Sequence, residues 1–396
     1  MTATLLIEES PAETRAALLL DGQVRGLWYS DDAAHSGLFL GKVKTVDRKL
    51  QAAFVDIGFS EAGFLPITES LKISEGQSLP VRIKRPAVPG KGPLLTTQTG
   101  VKAPTLEALQ AKAGEAPARL EPVKADAVLA YMHFQKAMPT EIIVAGSNSF
   151  LALQAYLRTD APTTPPELST FPEAALFERE GIEEEIEQAL ARVVTLPGGG
   201  RLVFDEAEAL TVIDVDVAAT EGQSKRGSMI RACAEAIPEI FRQLSLRRIG
   251  GQVVIDFPAL ALKGGGQIRS VLKESARALH GARLIRLDDT GLAIYTLPRQ
   301  QASLLDLQTV YHGGGPVRGR QLSPKALAAR LLRKAAVQLQ QHTAARLEVL
   351  GTSEVIDLIK VTPDWVQKLT AQYGARLTFS ARDDKEREWS DVREIN

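Results

Sequence analysis

The stretch TVIDVDVAAT, residues 211–220, places two aspartates, Asp214 and Asp216, inside an otherwise apolar run. Side chains alternate between the two faces of a strand, so both aspartates share a face with Val212, and the intervening apolar residues share the other. Like charges beside an apolar run cost free energy unless something neutralises them. We therefore expect a buried strand whose two acidic side chains are close enough to bracket one cation.

The pattern recurs in GGQVVIDFPAL, residues 250–260, where Asp256 follows an apolar run. Such a run is typical of a strand in a sheet that is covered on both faces. If the two strands are neighbours, three carboxylates converge at one sheet edge and provide the oxygen ligands that Mg²⁺ or Mn²⁺ prefers. The chemistry that such a site supports is phosphoryl transfer or phosphodiester hydrolysis.

A simpler interpretation is that these aspartates have a structural role and bind no metal. An aspartate at the end of a strand usually caps a turn or pairs with a basic side chain, and the spacing alone favours that outcome. The residues themselves therefore leave both interpretations open.

The bulk composition sets limits on the class of protein. The chain has 396 residues, 44% of them hydrophobic and 24% charged, with a net charge of −1, so any nucleic-acid surface has to be local. The single cysteine, Cys233, excludes a disulfide framework and a multi-cysteine zinc site within one chain. Neither a signal peptide nor an apolar run of membrane-spanning length is visible, so we expect a cytoplasmic protein without membrane contact.

Short strand-like runs between residues 36 and 99 predict a small closed barrel, for which an OB-fold is the commonest example among nucleic-acid binders. Phe54 and Phe64 are out of phase with the apolar positions of their strands, and Lys42 and Lys44 lie nearby. Two aromatic rings and two cations on a wet face suit base stacking and phosphate neutralisation. Packing of both rings under a neighbouring domain is an equal alternative at this level.

The rest of the chain alternates helices and strands. Residues 11–19 look helical between two strands, and residues 196–217 predict two strands joined through Asp205–Glu208 as a β-hairpin. The segment SKRGSMIRACAEAIPEIFRQLSLR, residues 224–247, predicts a helix that is kinked or split at Pro238. A small βαβ-like tail follows a helix capped by Ser323.

In order along nearly the whole chain, these segments resemble the ribonuclease E/G family of endoribonucleases. GKVKTVDRKLQAAFVDIGFSEAGFLPI (41–67) is similar to the family's OB-fold RNA-binding segment. LPGGGRLVFDEAEALTVIDVDVA (196–218) is similar to its hairpin into the catalytic strand. EIFRQLSLRRIGGQVVIDF (239–257) is similar to its second catalytic strand with the preceding helix.

The resemblance implies a multi-domain α/β (α+β) fold with six segments. They are an RNase H-like subdomain (1–33 plus 126–188), an inserted OB-fold barrel (34–99), a linker that replaces the family's 5′-sensor (100–125), a DNase I-like catalytic subdomain (189–308), a link loop without zinc ligands (309–322) and a small C-terminal α/β domain (323–396).

The resemblance also implies the site. Asp214 and Asp256 would hold a catalytic Mg²⁺, with Mn²⁺ as an alternative, and Asp216 stands where the family usually has a catalytic asparagine. Phe54, Phe64 and Lys91 match positions that contact RNA in the barrel. The implied activity is metal-dependent hydrolysis of single-stranded RNA to 5′-phosphate and 3′-hydroxyl ends, in RNA processing or decay.

Three departures from the family pattern affect this expectation. The Arg-Thr pair that senses a 5′-monophosphate in the family has no counterpart in residues 100–125. The zinc-link cysteines are also absent, so a homodimer through residues 323–396 would form without zinc. An arginine of the family appears here as Asp289 or Thr290. Together with Asp216, that change motivates an alternative function, an RNA-binding protein with the same barrel and impaired catalysis.

Overall fold

The computed structural model describes residues 2–30, 37–67, 71–85, 87, 92–121, 124–160, 162–172, 174–217, 225–258, 266–277, 279–299, 301–311 and 319–395. The chain divides into two compact units. The first unit combines residues 1–28, 130–299 and 303–396, and the second combines residues 29–129 and 300–302. The architecture is a mixed α/β fold with a closed five-stranded barrel in the second unit, consistent with the predicted α+β class.

The strands of the described residues are numbered in chain order. They are β1 (Ala3–Glu9), β2 (Thr14–Leu20), β3 (Gln23–Tyr29), β4 (Leu38–Asp47), β5 (Ala52–Asp56), β6 (Gly63–Pro66), β7 (Ser78–Arg85), β8 (Leu94–Thr96), β9 (Ala118–Arg119), β10 (Glu141–Ala145), β11 (Glu167–Thr170), β12 (Val193–Thr195), β13 (Arg201–Glu206), β14 (Leu210–Asp216), β15 (Gly251–Asp256), β16 (Arg283–Leu287), β17 (Leu292–Leu297), β18 (Thr309–Tyr311), β19 (Arg320–Leu322), β20 (Arg346–Gly351), β21 (Leu377–Ala381) and β22 (Asp391–Ile395).

The α-helices are numbered in the same way. They are α1 (Ala103–Ala113), α2 (Asp126–Phe134), α3 (Ser147–Thr159), α4 (Leu176–Arg179), α5 (Ile182–Leu190), α6 (Lys225–Leu246), α7 (Gly266–Arg277), α8 (Leu304–Gln308), α9 (Pro324–Gln341), α10 (Ser353–Val361) and α11 (Pro363–Tyr373).

The first sheet of the first unit has the order β11-β10-β1-β2-β3. Strand β2 pairs with β1 in antiparallel register, Ala3 opposite Leu20 through Glu9 opposite Thr14. The prediction of a helix-like segment over residues 11–19 is therefore wrong. Its alanines and leucines favour a helix by only a few tenths of a kcal/mol each (~0.2–0.5), and pairing with the buried β1 outweighs that preference.

The second sheet of the first unit has the order β12-β13-β14-β15-β17-β16. Strands β13 and β14 form the predicted hairpin, and β15 runs parallel to β14. Its core lies on one face of the sheet, where β14 and β15 contribute Ile213, Val215, Val253 and Ile255, and helices α6 and α7 pack against them. Helix α6 is one continuous helix with Pro238 inside it rather than two helices.

The barrel of the second unit closes through the neighbour order β5-β6-β8-β7-β4, with β4 returning to pair with β5. Numbered along the barrel, this is the order 2-3-5-4-1, and the closed barrel predicted for this segment is confirmed. The interior is apolar and includes Phe39, Val43, Val55, Leu65 and Val81. Strand β9 adds to the free side of β4.

The last part of the first unit is a three-stranded sheet, β21-β20-β22, in which β20 and β21 are parallel. Helices α10 and α11 connect those two strands, as the βαβ-like pattern predicted. Helix α9 precedes them, and the Ser323 hydroxyl accepts a hydrogen bond from the backbone N–H of Ala326 at 3.1 Å as its cap.

No helix within the described ranges is long and apolar enough to cross a membrane.

Candidate functional site

Asp214 and Asp256 lie side by side at the carboxyl edge of the six-stranded sheet. The parallel register of β14 and β15 sets Asp214 directly opposite Asp256, as it sets Ile213 opposite Ile255. Neighbouring strands are about 4.8 Å apart, and paired residues point to the same face. The two carboxylates therefore project from adjacent backbone positions into the same space.

The face that holds these carboxylates is open to solvent. Along β14 the burial pattern alternates strictly, with Ile213 and Val215 buried and both Asp214 and Asp216 exposed. Val212 on the same face is 37% exposed. The expectation of a buried strand in a sheet covered on both faces is wrong, because α6 and α7 cover one face only. The aspartates carry no burial cost.

The electrostatic situation of the pair is nevertheless unfavourable. Among the residues that the structure describes, neither the Asp214 nor the Asp256 carboxylate has a hydrogen-bond or ion-pair partner. Like charges on directly opposite strand positions repel each other and lower stability. The usual role of a strand-end aspartate, capping a turn or pairing with a cation, therefore does not explain these two residues.

Asp216 has a different environment. Its Oδ2 accepts a hydrogen bond from Nε of Arg201 at 3.1 Å, across the antiparallel β13–β14 pair. Both side chains are more than half exposed. The prediction that three carboxylates converge on one ion is wrong, since no group of three acidic, histidine or cysteine side chains in the described part of the chain could hold a metal. Two residues along a strand separate Asp216 from Asp214 by about 6.5–7 Å.

A tight turn between β16 and β17 borders Asp256. The N–H of Phe257 donates to the carbonyl of Gly291 at 3.0 Å. A Cβ added at Gly291, whose φ is +120°, would lie 2.2 Å from the Phe257 carbonyl oxygen and 3.4 Å from Asp256 Oδ1. Glycine is therefore required for this close approach. The sequence reasoning missed Gly291, although the DDTG segment (288–291) is a recognisable turn signal.

The same turn contains Asp289 and Thr290, one of which stands in place of the family's arginine in the resemblance. Asp289 and Thr290 are both exposed. The hydroxyl and the N–H of Thr290 donate to Oδ1 of Asp288, and the hydroxyl bond is the larger cause of the lowered pKa of Asp288. The Asp288 carboxylate thus stabilises the turn through hydrogen bonds to residues of the turn itself. No cation of the turn itself replaces the missing arginine, since residues 288–291 contain none.

The barrel carries the aromatic pair on its outer face. Phe54 of β5 lies directly opposite Phe64 of β6, with ring centroids 5.9 Å apart and planes at 79°. This edge-to-face geometry is a favourable one for aromatic rings. Both rings are half-buried, while their strand neighbours Ala53, Val55 and Leu65 point into the barrel core.

Strand pairing extends this aromatic pair into a row across the outer face of the barrel. Consecutive partners along the row are Thr45, Phe54, Phe64, Leu94 and Arg85. Arg85 is exposed at one end. The row combines stacking surface with a terminal cation, the combination that single-stranded nucleic acid requires. Leu94 could not be placed in this row from sequence, because β6 and β8 share only one paired position.

The three lysines predicted to contact RNA in the barrel differ in their surroundings. Lys42 is exposed and lies opposite Asp56 in the β4–β5 register. The Lys44 ammonium is 3.0 Å from Asp56 Oδ2 and stays 60% exposed. A hydrogen bond from the Gly58 N–H, followed by that from Lys44, lowers the pKa of Asp56. Lys91 lies outside the described residues.

Comparisons of the sequence with known proteins find similarity to ribonucleases E and G. Residues 104–281 match the sequence model of the Ribonuclease E/G family. Ribonuclease E of Buchnera aphidicola (subsp. Acyrthosiphon pisum) is 26% identical, with 69% of this chain and 40% of that protein covered. Ribonuclease E of Escherichia coli K12 is 27% identical over 64% of this chain and 32% of its own length.

Ribonuclease G of Escherichia coli K12 is 26% identical, with 72% of this chain and 76% of that protein covered. The chain thus spans about a third to two fifths of the ribonuclease E proteins that it matches, and about three quarters of ribonuclease G. The resemblance to the ribonuclease E/G family predicted from the sequence is confirmed.

Proposed function

We propose that this chain, with its resemblance to the ribonuclease E/G family, is a metal-dependent endoribonuclease that cleaves single-stranded RNA in RNA processing or decay. The observation that supports the proposal is the pair formed by Asp214 and Asp256, adjacent in register, exposed and without a partner among the described residues. Both residues stand at positions that the family resemblance implies to be catalytic, and both lie within residues 104–281, which match the family model.

The donor set fits a hard divalent cation. Two carboxylates from neighbouring strands offer oxygen ligands only, and their open face leaves the remaining positions to water, as Mg²⁺ prefers. A divalent cation would also relieve the repulsion between the two aspartates. Bound there, Mg²⁺ or Mn²⁺ would neutralise charge on the scissile phosphate and lower the pKa of the attacking water.

The protein's own contribution is positioning. Asp214 and Asp256 fix the place of hydrolysis at the edge of a rigid sheet, and Gly291 keeps the neighbouring turn close to Asp256 without covering it. Phe54 and Phe64 would stack bases, while Lys42, Lys44 and Lys91 would neutralise phosphates. The expected products are a 5′-phosphate and a 3′-hydroxyl end.

The same proposal extends to the subdomain types, the location, the 5′-end recognition and the assembly of the chain. It includes the RNase H-like and DNase I-like subdomains, a cytoplasmic location, the loss of 5′-monophosphate sensing, the absence of zinc and a homodimer through residues 323–396. A direct consequence is that RNA with a 5′-hydroxyl should be cut about as fast as RNA with a 5′-monophosphate.

The test is cleavage of labelled single-stranded RNA with Mg²⁺, compared with EDTA. We expect the wild type to cut and the Asp214→Asn/Asp256→Asn variant to be inactive while it still binds RNA. The matched control, Asp357→Asn/Asp364→Asn, removes two exposed acidic charges of the first unit and should cut at the wild-type rate. Equal inactivity of the wild type and the Asp214→Asn/Asp256→Asn variant, with RNA binding intact in both, would overturn the enzyme proposal.

One observation favours the second candidate, an RNA-binding protein with impaired catalysis. Asp216 adds a negative charge near the pair, and it occupies Arg201, a cation that could otherwise meet a phosphate. An Asp216→Asn change separates the candidates. If the wild type binds RNA without cutting and this variant gains cleavage, impaired catalysis is the correct description.

A further inference from the structure

Helix α7 presents a line of cations on its exposed side. Arg269, Lys273 and Arg277 are spaced four residues apart, so they project from one face of the helix, about 6 Å from one to the next. All three are exposed, whereas Ile268 and Leu272 of the same helix are buried in the sheet core.

This arrangement is unfavourable for the chain alone. Within the described residues none of the three cations has an ion-pair or hydrogen-bond partner, and like charges four residues apart lower helix stability. Glu274 is the one acidic residue of α7. In a chain with a net charge of −1, such a local excess of positive charge indicates an anionic partner from outside.

Lys273 and Arg277 border a groove at the carboxyl end of the helix. It has a volume of about 350 Å³ and lies between the last turn of α7 and the first residues of β16. Lys273, Arg277 and His280 are its exposed lining residues, of which Lys273 and Arg277 carry the positive charge, and Ala276, Leu279, Ala282 and Leu284 form its less exposed, apolar floor. Among the described residues His280 has no partner either.

Arginines continue the positive surface along β16 towards the aspartate pair. Arg283 is exposed at the start of β16 without a partner in the described structure. Arg286, one strand position before the turn that borders Asp256, is also exposed, although its Nε lies 3.3 Å from Asp288 Oδ2. Arg283 pairs with Thr296 and Asp256 with Leu292, so the two are offset by four residues along β17, about 13 Å; because they lie on the strands that flank β17, their backbones are about 16 Å apart. A single strand of RNA can bridge that distance with a few nucleotides.

We propose that the α7–β16 groove binds a nucleotide of the RNA substrate away from the cleaved bond. Lys273 and Arg277 hold its phosphate, and the apolar floor takes its base. The inference rests on the proposed function and adds a second contact with the same strand. A pair of exposed cations beside an apolar floor fits a nucleotide better than an acidic peptide, whose carboxylate side chains would leave the floor uncovered.

The experiment measures binding of a long single-stranded RNA and of a short oligonucleotide limited to the cleavage site. The variant is Lys273→Glu/Arg277→Glu. The control is Arg346→Glu/Lys360→Glu, which makes the same change in charge at two exposed cations of the first unit. We expect the groove variant to bind long RNA about tenfold more weakly, with a salt dependence reduced by the equivalent of about two phosphates.

Short RNA should bind and be cut as by the wild type, and the control should match the wild type throughout. The melting temperatures of both variants are measured beside that of the wild type, because Arg277→Glu removes a cation from the last turn of α7, where it stabilises the helix dipole. A groove variant that is still folded at the assay temperature separates a loss of RNA binding from a loss of folding.

Wild-type affinity of the groove variant for long RNA overturns the proposal and leaves the proposed function intact if short RNA is still cut. Absence of any RNA binding by the wild type overturns both. Loss of binding to an oligoglutamate probe, with RNA binding unchanged, would identify an acidic protein partner instead.

A second measurement does not depend on the variant. Photocrosslinking of 4-thiouridine RNA to the wild-type chain should label residues 266–286, and labelling that omits this segment would contradict the groove.

Discussion

The outer face of the barrel and the open face of the six-stranded sheet carry side-chain pairs of the same geometry but of opposite energetic effect. In each, two side chains from neighbouring strands lie in register on the exposed side of a sheet: Phe54 opposite Phe64, and Asp214 opposite Asp256. The aromatic pair is favourable by itself, since its rings meet edge to face. The carboxylate pair is unfavourable by itself.

The difference indicates what each face needs from outside. The aromatic row is already stable and offers stacking surface to a base. The aspartates require a positive charge that no described residue supplies. A sheet therefore places either kind of pair equally well, and the side chains decide whether the pair supports the fold or depends on a ligand.

The largest expected effect concerns the carboxylate pair. Asp214→Asn or Asp256→Asn alone should reduce kcat/KM for RNA cleavage by about a thousandfold or more, nearly as much as both together, because residues that act as a unit are not additive. Steady-state kinetics with saturating Mg²⁺ would measure this. Independent, multiplicative losses would show that the two aspartates do not share one ion.

The aromatic pair should affect binding more than catalysis. Phe54→Ala or Phe64→Ala should weaken RNA binding by about 1–3 kcal/mol, roughly tenfold to a hundredfold, because each removes a stacking surface. Fluorescence anisotropy would measure the affinity, with Leu50→Ala, an exposed apolar residue of the same barrel, as the control. Unchanged affinity in both phenylalanine variants would favour a packing role for the rings.

A divalent metal should reverse the effect that removing one carboxylate of the aspartate pair has on the free energy of unfolding. In EDTA, Asp214→Asn should raise the free energy of unfolding by about 0.5 kcal/mol, because the repulsion with Asp256 is removed. With excess Mg²⁺ the wild type should become the more stable protein, since it alone keeps the full site. Urea denaturation in both conditions would show it, and an Mg²⁺-independent difference would contradict a metal site.

The smallest expected effect lies at Asp56 beside the aromatic pair. The Gly58 N–H and Lys44 lower its pKa, so its contribution to stability is present above the unfolded-state value, about 4, and is lost as the pH falls through the lower folded-state pKa. Asp56→Asn should therefore cost less than about 0.5 kcal/mol at pH 7. The gap should close below pH 4 in denaturation curves, and a gap that widens there would contradict the assignment.

The sequence predicted those features of the site that depend on strand alternation. It placed Asp214 and Asp216 on one face and Phe54 opposite the barrel core, because side-chain direction follows from local backbone geometry. It could not find Arg201 as the partner of Asp216, since the register of the β13–β14 hairpin decides that contact. Gly291 was missed for the same reason, because its closeness to Asp256 comes from a non-local strand pairing.

Burial was the quantity that the sequence misjudged. The apolar run before Asp256 suggested a sheet covered on both faces, but helices α6 and α7 occupy only one. In the same way, residues 11–19 have the composition of a helix, but residues 14–20 form a strand because β1 offers them a buried partner. Both errors concern what packs against a segment, which the segment itself does not encode.

The sequence by itself determined the order of the motifs, the family resemblance and the face on which each acidic or aromatic side chain lies. Only the tertiary structure decided that Asp214 lies opposite Asp256, that Asp216 pairs with Arg201 instead and that Lys273 and Arg277 of α7 line a groove. Alternation and helical spacing are properties of neighbouring residues along the chain. Register, exposure and unpaired charge depend on which distant segments come together.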